Sequence, residues 1–475
     1  MPKIDSRSSE SLLKRPGAVL LISCYELGHQ PLGIASPLAF FERAGFHPTA
    51  LDVSVESFDE EKAARAKFVG ICVPMHTALR LGVRVAQRIR QINPTCHICF
   101  YGLYASLNAD YLLSEVGDSV IGGEYETSLV SLAEALEPGG VSPVSSVSVR
   151  GRPAKPILAR LPFSVPSRSA LPGLKKYAHI ERDGTTGLVG YVEASRGCLH
   201  LCTHCPIPPV YGGRFFVIPR EVVLEDIRNL VESGATHITF GDPDFLNGPG
   251  HSLAILRAMH AEFPWLTFDF TAKVEHILKH AEDFPELGRL GAAFMVTAVE
   301  SLNDTILKIL DKDHTRAGVY QALGIVRNAG FAFRPTWVMF TPWTAPQDYF
   351  DVLDFVESEG LIDNVDPVQY SIRLLIPPGS LLLSRPAMQP HLGPLIKESF
   401  YYEWKHPDPR MDDLHNAVSA LVEEAAKENE DPGVTFYRVR GLADSVLGSR
   451  GRAPVSANLQ PDRVRPPRMT EPWFC

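Results

Sequence analysis

Short apolar runs of strand length alternate with segments of helical periodicity over two long stretches of the chain. The alternation covers residues 17–137, and it restarts at residue 186 and continues to about residue 380. Strand–helix alternation of this kind predicts parallel α/β sheets. The predicted strands cover 18–24, 48–53, 68–73, 97–101 and 120–121 in the first stretch, and 188–194, 236–241, 267–272, 292–299, 331–340 and 367–374 in the second.

The two stretches predict two α/β domains in one chain. The first, 17–137, reads as a Rossmann-like, doubly wound parallel sheet. The second, 186–380, has six strand–helix units and predicts a partial (β/α)6 barrel rather than a full eight-stranded one. A disordered tail over 1–16, a Pro- and Ser-rich linker over 138–185 and a small α-rich, irregular region over 381–475 complete the predicted organisation.

Composition and charge narrow the class of protein. The 475 residues are 45% apolar and 21% charged, which is typical of a globular chain with a large core. The net charge of −9 argues against general nucleic-acid binding. No apolar run reaches the length of a membrane helix, and the first 15 residues lack the apolar centre of a signal peptide. We therefore expect a cytoplasmic protein that binds no membrane.

The eight cysteines are unevenly distributed. Cys24, Cys72, Cys96 and Cys99 lie in or beside apolar segments, where a free cysteine acts as a small hydrophobic residue. The spacing of Cys96 and Cys99 also fits a redox or metal pair, but the apolar context favours a buried strand.

Three further cysteines lie within eight residues, after a predicted strand and an Arg-Gly turn. Cys198, Cys202 and Cys205 form a Cys-x3-Cys-x2-Cys loop. Three thiolates this close can hold three corners of a [4Fe–4S] cluster and leave one iron open. The alternative is a structural zinc site, which needs a fourth ligand that His200 or His204 could supply.

A Cys-x3-Cys-x2-Cys loop after the first strand of a six-unit barrel resembles the signature of radical S-adenosylmethionine (SAM) enzymes. The resemblance implies that SAM chelates the open iron and is cleaved on reduction to a 5′-deoxyadenosyl radical. It also implies an electron donor such as flavodoxin or ferredoxin. One departure is His204, because the residue before the third cysteine is commonly an aromatic carbocycle.

Unusual polar residues follow the predicted barrel strands, where active sites of such barrels gather. The segment from Gly241 to Asn247 resembles the family's Gly-Gly-Glu-like segment, although its Asp-Pro-Asp could be a simple helix-start turn. Glu300 and Ser301 resemble a Glu-Ser segment that contacts the cofactor, the alternative being an N-cap serine. The residues that the resemblance assigns to SAM are Gly241, Asp242, Asp244, Thr271, Lys273, Glu300, Ser301 and Arg334. Trp343 and Arg373 are candidates for the substrate pocket, together with Gln369.

The first domain is similar to the N-terminal domain of the cobalamin-binding class of these enzymes. The matching positions are Met75, His76, Gly102 and Gly122. The family's Asp-x-His-x-x-Gly segment is missing, since His29 has neither the Asp nor the Gly, and we expect His29 at the surface. If cobalamin binds, it therefore has no histidine lower ligand. A degenerate domain that has lost cobalamin is the alternative.

The last residues carry two further features. From residue 438 to residue 468 there are seven Arg and two Asp, which fits a solvated surface or, alternatively, phosphate contact. The chain as a whole resembles the CUAEP/CCAEP-tail radical SAM family, whose tail has Cys followed by selenocysteine or Cys. We therefore expect that a UGA codon follows Cys475, which would act as a catalytic thiol or soft-element ligand.

Three hypotheses of function follow. The first is a cobalamin-linked radical SAM enzyme that modifies, and in one version methylates, an unactivated carbon of a small molecule. The second is a cobalamin-free radical SAM enzyme that handles sulfur, selenium or arsenic through Cys475. The third is a non-catalytic iron–sulfur or zinc protein. RNA-modifying relatives usually add a basic domain, which does not suit this acidic chain.

Overall fold

The computed structural model describes residues 11–138, 140, 144–448 and 463–471. It divides into two compact units, with the boundary after Tyr177. Cys475 and residues 449–462 lie outside the described part. Among the described residues, no helix combines the length and the apolar character that crossing a bilayer requires.

The first unit is built on a five-stranded parallel sheet. Its strand order is β2-β1-β3-β4-β5, so the order reverses between β1 and β3. The strands are almost fully buried, because helices cover both faces, and this explains their continuous apolar sequence. The strands are β1 Val19–Ser23, β2 Thr49–Asp52, β3 Phe68–Cys72, β4 His97–Tyr101 and β5 Ser119–Ile121; the helices are α1 Leu32–Arg43, α2 Glu60–Arg65, α3 His76–Ile92, α4 Leu103–Leu107, α5 Ala109–Glu115 and α6 Glu126–Ala135.

Segments outside this sheet are also fixed to the first unit. Ser11, Leu12 and Leu13 donate hydrogen bonds to the Glu137 carboxylate, and Leu13 is buried. Residues of the predicted linker bridge to the sheet edge, where Ser148 pairs with Val120. Both ends of the predicted 17–137 domain therefore have ordered contacts.

The second unit contains a curled seven-stranded sheet in the order β13-β12-β11-β10-β7-β6-β16. Five neighbouring strands, β7 and β10 to β13, are parallel and form the half-barrel. The strands of the second unit are β6 His179–Arg182, β7 Thr185–Val192, β8 Ser195–Gly197, β9 Phe215–Val217, β10 His237–Phe240, β11 Thr267–Thr271, β12 Ala292–Glu300, β13 Ala332–Trp337, β14 Leu392–Ile396, β15 Tyr401–Trp404 and β16 Arg468–Met469. Its helices are α7 Pro208–Tyr211, α8 Arg220–Glu232, α9 Pro249–Glu262, α10 Val274–Lys279, α11 Phe284–Arg289, α12 Asp304–Ile309, α13 Arg316–Ala329, α14 Pro346–Ser358, α15 Pro409–Lys427 and α16 Pro432–Leu447.

The predicted fold class, a Rossmann-like sheet joined to a partial radical SAM-type barrel, is confirmed, but the sixth barrel segment differs in detail. Residues 367–374 begin with a short 3-10 helix, Pro367–Ser371, and Arg373 then forms a single parallel bridge with Phe340. The prediction that Cys96 and Cys99 are buried beside a strand is confirmed. Burial raises the pKa of both thiols to about 12, as expected of inert core cysteines.

The described C-terminal segment, residues 463–471, forms an arginine-rich strap on the second unit. Its strand β16 pairs antiparallel with β6, and Met469 packs on the core at Ile180. Arg463 forms two hydrogen bonds to Asp363 and one to Asp431. Arg468 donates to Glu181. The described arginines here are thus paired with acidic residues of the chain, while Arg465 and Arg468 remain partly exposed to solvent.

Candidate active site

The cysteine loop is held where the first parallel strand of the half-barrel ends. The strand β8 precedes the loop and pairs with β9, and the Cys198 amide donates to the Arg214 carbonyl at 3.1 Å. Gly197 adopts a φ of +77°, and a Cβ there would lie 2.4 Å from the Arg214 oxygen. Only glycine satisfies both conditions, so the Arg-Gly turn positions the first thiol.

Asp242 supports this loop from the end of β10. Its buried carboxylate accepts hydrogen bonds from the Ala194 amide at 2.8 Å and the Ser195 hydroxyl at 2.6 Å. Burial raises the pKa of Asp242 to about 7. The neighbouring Gly241 is required because a Cβ would lie 2.2 Å from the Tyr191 hydroxyl. Both residues, predicted to contact SAM, are engaged in packing and in holding the loop.

The three thiols lie on one loop that the rest of the barrel fixes. Cys202 is buried and the other two are half-buried. The Thr203 amide donates to the Leu310 carbonyl, and the Cys198 thiol lies 3.9 Å from Asn247 Oδ1. Burial raises the pKa of Cys198, and raises that of Cys205 to about 12. Because these thiols resist ionisation alone, a bound cation is needed to hold them as thiolates, and this donor set fits an iron–sulfur cluster.

A polar group lies on one side of the loop around His200. Lys273 Nζ donates to His200 Nδ1 at 2.9 Å and to Glu275 Oε2 at 3.2 Å. Asp244 Oδ2 lies 3.7 Å from His200 Nε2. Asp244 Oδ1 accepts a hydrogen bond from the Leu246 amide at 3.0 Å. Asp244 therefore caps the start of a short 3-10 helix, Phe245–Asn247, as the alternative interpretation of this segment predicted. The structure therefore brings Asp244 and Lys273 together at the cysteine loop.

A second polar group lies around His204. Its Nε2 donates to Glu300 Oε1 at 3.1 Å, and Lys312 Nζ donates to the same oxygen at 3.1 Å. Burial alone would raise the pKa of Glu300, but Lys312 and His204 outweigh it and lower the pKa to about 2. Glu300 also has a φ of +67°, a conformation that is costly for a side chain with a Cβ. Glu300 is thus a fixed buried anion beside the third cysteine.

Ser301 and Thr271 stand at neighbouring strand ends. The Ser301 hydroxyl accepts from the Asn303 amide at 3.1 Å, while Asn303 itself caps α12. The alternative reading of Ser301 as an N-cap is therefore wrong. Thr271 is the last residue of β11 and is half-buried.

Arg334, Arg373 and Trp343 are engaged elsewhere. Arg334 lies three residues before the end of β13 and donates to both carboxylate oxygens of Asp366 at 2.9 and 3.0 Å. Arg373 donates to Asp412 at 2.7 Å and its guanidinium lies 3.6 Å from the Trp404 ring centroid. Trp343 donates from Nε1 to the Ala387 carbonyl. Arg373 and Trp343 thus bind the C-terminal region, and Arg334 binds Asp366, so none of the three stands free at the rim. Gln369 accepts a hydrogen bond from the Trp337 amide.

In the first unit, the four positions predicted for cobalamin lie at the carboxyl edge of the sheet. Met75 precedes α3 and His76 begins it. Gly102 follows β4 with a φ of +102°, and Gly122 follows β5, where a Cβ would lie 2.6 Å from Ser106 Oγ. The backbone conformation at Gly102 and the close approach of Ser106 at Gly122 therefore explain why glycine occupies both positions. The edge itself is where doubly wound sheets bind ligands, near the reversal of strand order.

The expectation that His29 lies at the surface is wrong. His29 is 7% exposed and lies after β1, where its amide donates to the Glu26 carbonyl. The Glu26 carboxylate turns back to accept from the Leu32 and Gly33 amides at the start of α1. This closed turn buries the histidine, and sequence spacing alone did not reveal it.

Sequence reasoning missed His276. It lies on α10, directly after Lys273 and Glu275, and its Nδ1 is 2.9 Å from Asp244 Oδ2. The available signal was a histidine three residues after a lysine at the end of a barrel strand, which places both near one helix start.

Comparison with known proteins identifies the barrel. Residues 192–345 match the Radical SAM superfamily. The hopanoid C-3 methylase of Methylococcus capsulatus is 25% identical over 334 residues, which are 68% of this chain and 63% of the methylase. The chain thus spans less than two thirds of that relative.

Two solved structures share the fold. A structure of the cobalamin-dependent SAM radical enzyme OxsB, with aqua-cobalamin and SAM bound, superposes with a TM-score of 0.70 at 14% identity, covering 91% of this chain and 72% of OxsB. The radical SAM methyltransferase TsrM from Kitasatospora setae superposes with a TM-score of 0.60 at 16% identity, covering 72% of this chain and 71% of TsrM. This chain therefore carries a radical SAM domain, which implies a [4Fe–4S] cluster and SAM, in a fold similar to that of OxsB and TsrM.

Proposed function

We propose that this protein is a cobalamin-linked radical SAM enzyme that modifies, and in its main version methylates, an unactivated carbon of a small molecule. The observation that carries the proposal is the cysteine loop, fixed by Gly197 and Asp242 at the carboxyl end of the half-barrel. When bound, the cluster and SAM supply a 5′-deoxyadenosyl radical that abstracts hydrogen, and methylcobalamin supplies the methyl group.

The chain's own residues hold and shield this chemistry. Cys198, Cys202 and Cys205 would hold a cluster through three of its irons, which would leave the fourth iron open for the SAM amino and carboxylate groups. His204 directly precedes the third cysteine, and its imidazole would pack on the adenine of bound SAM. The anion of Glu300 fixes that ring through a hydrogen bond of 3.1 Å. Thr271, Lys273 and Ser301 stand at neighbouring strand ends and complete the proposed SAM site.

Cobalamin binding is proposed at the carboxyl edge of the first unit, around Met75, His76, Gly102 and Gly122. Support comes from the strand order, which reverses between β1 and β3, and from the cobalamin-bound OxsB fold. We propose that no histidine binds cobalt from below. The test is the electron paramagnetic resonance spectrum of bound cob(II)alamin, which should be the same for the wild type and His29→Ala. A nitrogen splitting that disappears in His29→Ala would show that His29 is the ligand.

The proposed activity is tested on protein purified anaerobically and reconstituted with iron, sulfide and hydroxocobalamin. The expected result is a cluster, bound cobalt and cleavage of SAM under a strong reductant. Cys198→Ala should lose cluster and cleavage, while Cys96→Ala, which removes a core thiol, should keep both. An intact cluster without SAM cleavage would overturn the proposal in favour of a non-catalytic iron–sulfur protein. Missing cobalt would remove the methyl-transfer version.

A second candidate is cobalamin-free chemistry on sulfur, selenium or arsenic through Cys475. One observation favours it: β16 is antiparallel to β6, which is antiparallel to β7, so β16 runs in the same direction as the barrel strands. That direction leads toward the edge that carries the cysteine loop. Full activity of a Cys475→Ala variant would exclude this candidate. In either case we propose a cytoplasmic enzyme that takes electrons from a flavodoxin or ferredoxin.

A further inference from the structure

Three side chains beside the cysteine loop form a compact group of metal-ligating atoms. His200, Asp244 and His276 each offer one ligand atom, and the three atoms lie within 4.8 Å of one another. Asp244 is 1% exposed and His276 is 5% exposed. They come from three elements, the cysteine loop, the segment after β10 and helix α10, so the fold rather than the local sequence assembles them.

The two imidazole nitrogens that face the carboxylate lack hydrogen-bond partners among the described residues. His276 Nδ1 approaches Asp244 Oδ2 to 2.9 Å, but not in a direction that makes a hydrogen bond. A buried nitrogen without a hydrogen-bond partner reduces the stability of the fold by about 1–3 kcal/mol. Two such nitrogens around one carboxylate therefore indicate a ligand that binds all three groups.

The spacing suits a small cation. Ligand atoms about 2.0–2.1 Å from a tetrahedral ion are about 3.3 Å apart. The separations of Asp244 Oδ2 from His276 Nδ1 and His200 Nε2, 2.9 and 3.7 Å, bracket that value. Two imidazoles and one carboxylate are the donor set of Zn²⁺ or Fe²⁺ sites that keep a further position open.

The neighbouring charges also suit a divalent ion at this point. Around His200 lie three carboxylates, of Asp244, Glu275 and Asp313, and one ammonium, of Lys273. On the Nδ1 side of His200, the Lys273 ammonium already lies within 3.6 Å of Glu275 and Asp313. A metal ion therefore has no place there, whereas on the Nε2 side no lysine or arginine among the described residues forms an ion pair with Asp244.

We propose that His200, Asp244 and His276 bind a single divalent transition-metal ion, Zn²⁺ or Fe²⁺, separate from the iron–sulfur cluster. Metal binding at Nε2 leaves the His200 proton on Nδ1, so Lys273 Nζ must leave the position 2.9 Å from that nitrogen, and Glu275 Oε2, 3.5 Å away, then accepts the proton and orients the ring. Asp244 is then a metal ligand rather than a contact of SAM. The ion ties the cysteine loop to β10 and α10.

The test measures metal in the reconstituted holoenzyme after passage over a chelating resin. The expected result is one divalent ion per chain beyond the iron of the cluster. His276→Gln loses this ion and keeps the visible absorption of the cluster. His280→Gln, the matched control one turn further along the chain, keeps the ion. Metal content at the cluster level only, or an extra ion retained in His276→Gln, would overturn the proposal.

A second measurement covers the case in which His276→Gln fails to fold. A Cys198→Ala, Cys202→Ala, Cys205→Ala variant is dialysed against Co²⁺ as a probe. One bound Co²⁺ with ligand-field absorption and no thiolate charge transfer is expected, and Asp244→Asn in this background abolishes it. No Co²⁺ uptake by the folded variant would overturn the proposal. Because the readout is metal content, failure here leaves SAM cleavage, and with it the proposed function, unaffected.

Discussion

Glu300 is an ionised residue kept inside the barrel by the Lys312 ammonium and the His204 imidazole. Lys312 and His204 both donate to its Oε1, and the pKa of Glu300 falls from 4.5 to about 2 despite burial. A carboxyl whose pKa is lower in the folded state stabilises the fold above its unfolded pKa. That contribution is lost as the pH falls from 4.5 towards 2.

The low pKa of Glu300 predicts how the free energy of unfolding changes in acid. Urea unfolding of Glu300→Gln should lose less stability than the wild type between these two pH values. At neutral pH, Lys312→Met should cost about 3–5 kcal/mol, because it leaves a buried anion without its partner. The double variant Lys312→Met, Glu300→Gln should recover part of that loss. Equal acid sensitivity of the wild type and Glu300→Gln would contradict the pairing.

Asp242 tests whether a single buried carboxyl positions the cysteine loop. Asp242→Ala leaves the Ala194 amide without its acceptor, at a cost of about 1–3 kcal/mol. We expect it to lower iron incorporation on reconstitution. Asp242→Asn keeps one acceptor oxygen for that amide and can donate to the Ser195 hydroxyl, so its iron content should stay near that of the wild type. Equal iron in all three proteins would show that the loop is held without Asp242.

At the scale of elements, periodicity predicted the strands that have apolar neighbours on both sides. The strands predicted at 267–272 and 292–299 are observed as Thr267–Thr271 and Ala292–Glu300. The strand predicted at 367–374 is not observed, because the contacts of this segment come from distant parts of the sequence. Arg373 stacks on Trp404 and pairs with Asp412. Partners 31 and 39 residues away outweigh strand propensity, and no local pattern records them.

The arginine strap is a second element that sequence pattern did not predict. Arg463 bridges Asp363 and Asp431, two acids far apart in the chain, and is largely buried. Arg463→Ala should therefore reduce the free energy of unfolding by about 1–2 kcal/mol. Arg410→Ala, which removes an exposed pair with Asp408, is the matched control and should change it little. Equal effects in urea unfolding would show that the strap does not stabilise the second unit.

At the scale of the whole molecule, the sequence predicted the site where its residues are close in the chain. The cysteine loop is such a case, and Asp244, Lys273 and Glu300 were located because strand ends of a parallel sheet share one edge. Arg334 was assigned to SAM by the same rule, but Asp366 neutralises it. The position of a residue in a strand predicts which edge of the sheet it lies near, but it does not predict which charged side chain it pairs with.

The overall charge of the chain argues against binding to nucleic acid. The net charge is −9, and the described arginines at 463, 465 and 468 are paired with Asp363, Asp431 and Glu181. Phosphate backbones bind proteins through unpaired cations that release counterions. We therefore expect no complex with tRNA in a gel-shift assay, even at about 50 mM salt, where such contacts are strongest. The double variant Arg463→Glu, Arg465→Glu should behave identically. A salt-sensitive complex that this variant abolishes would show that the strap opens to bind RNA, and would move the substrate from small molecules to nucleic acid.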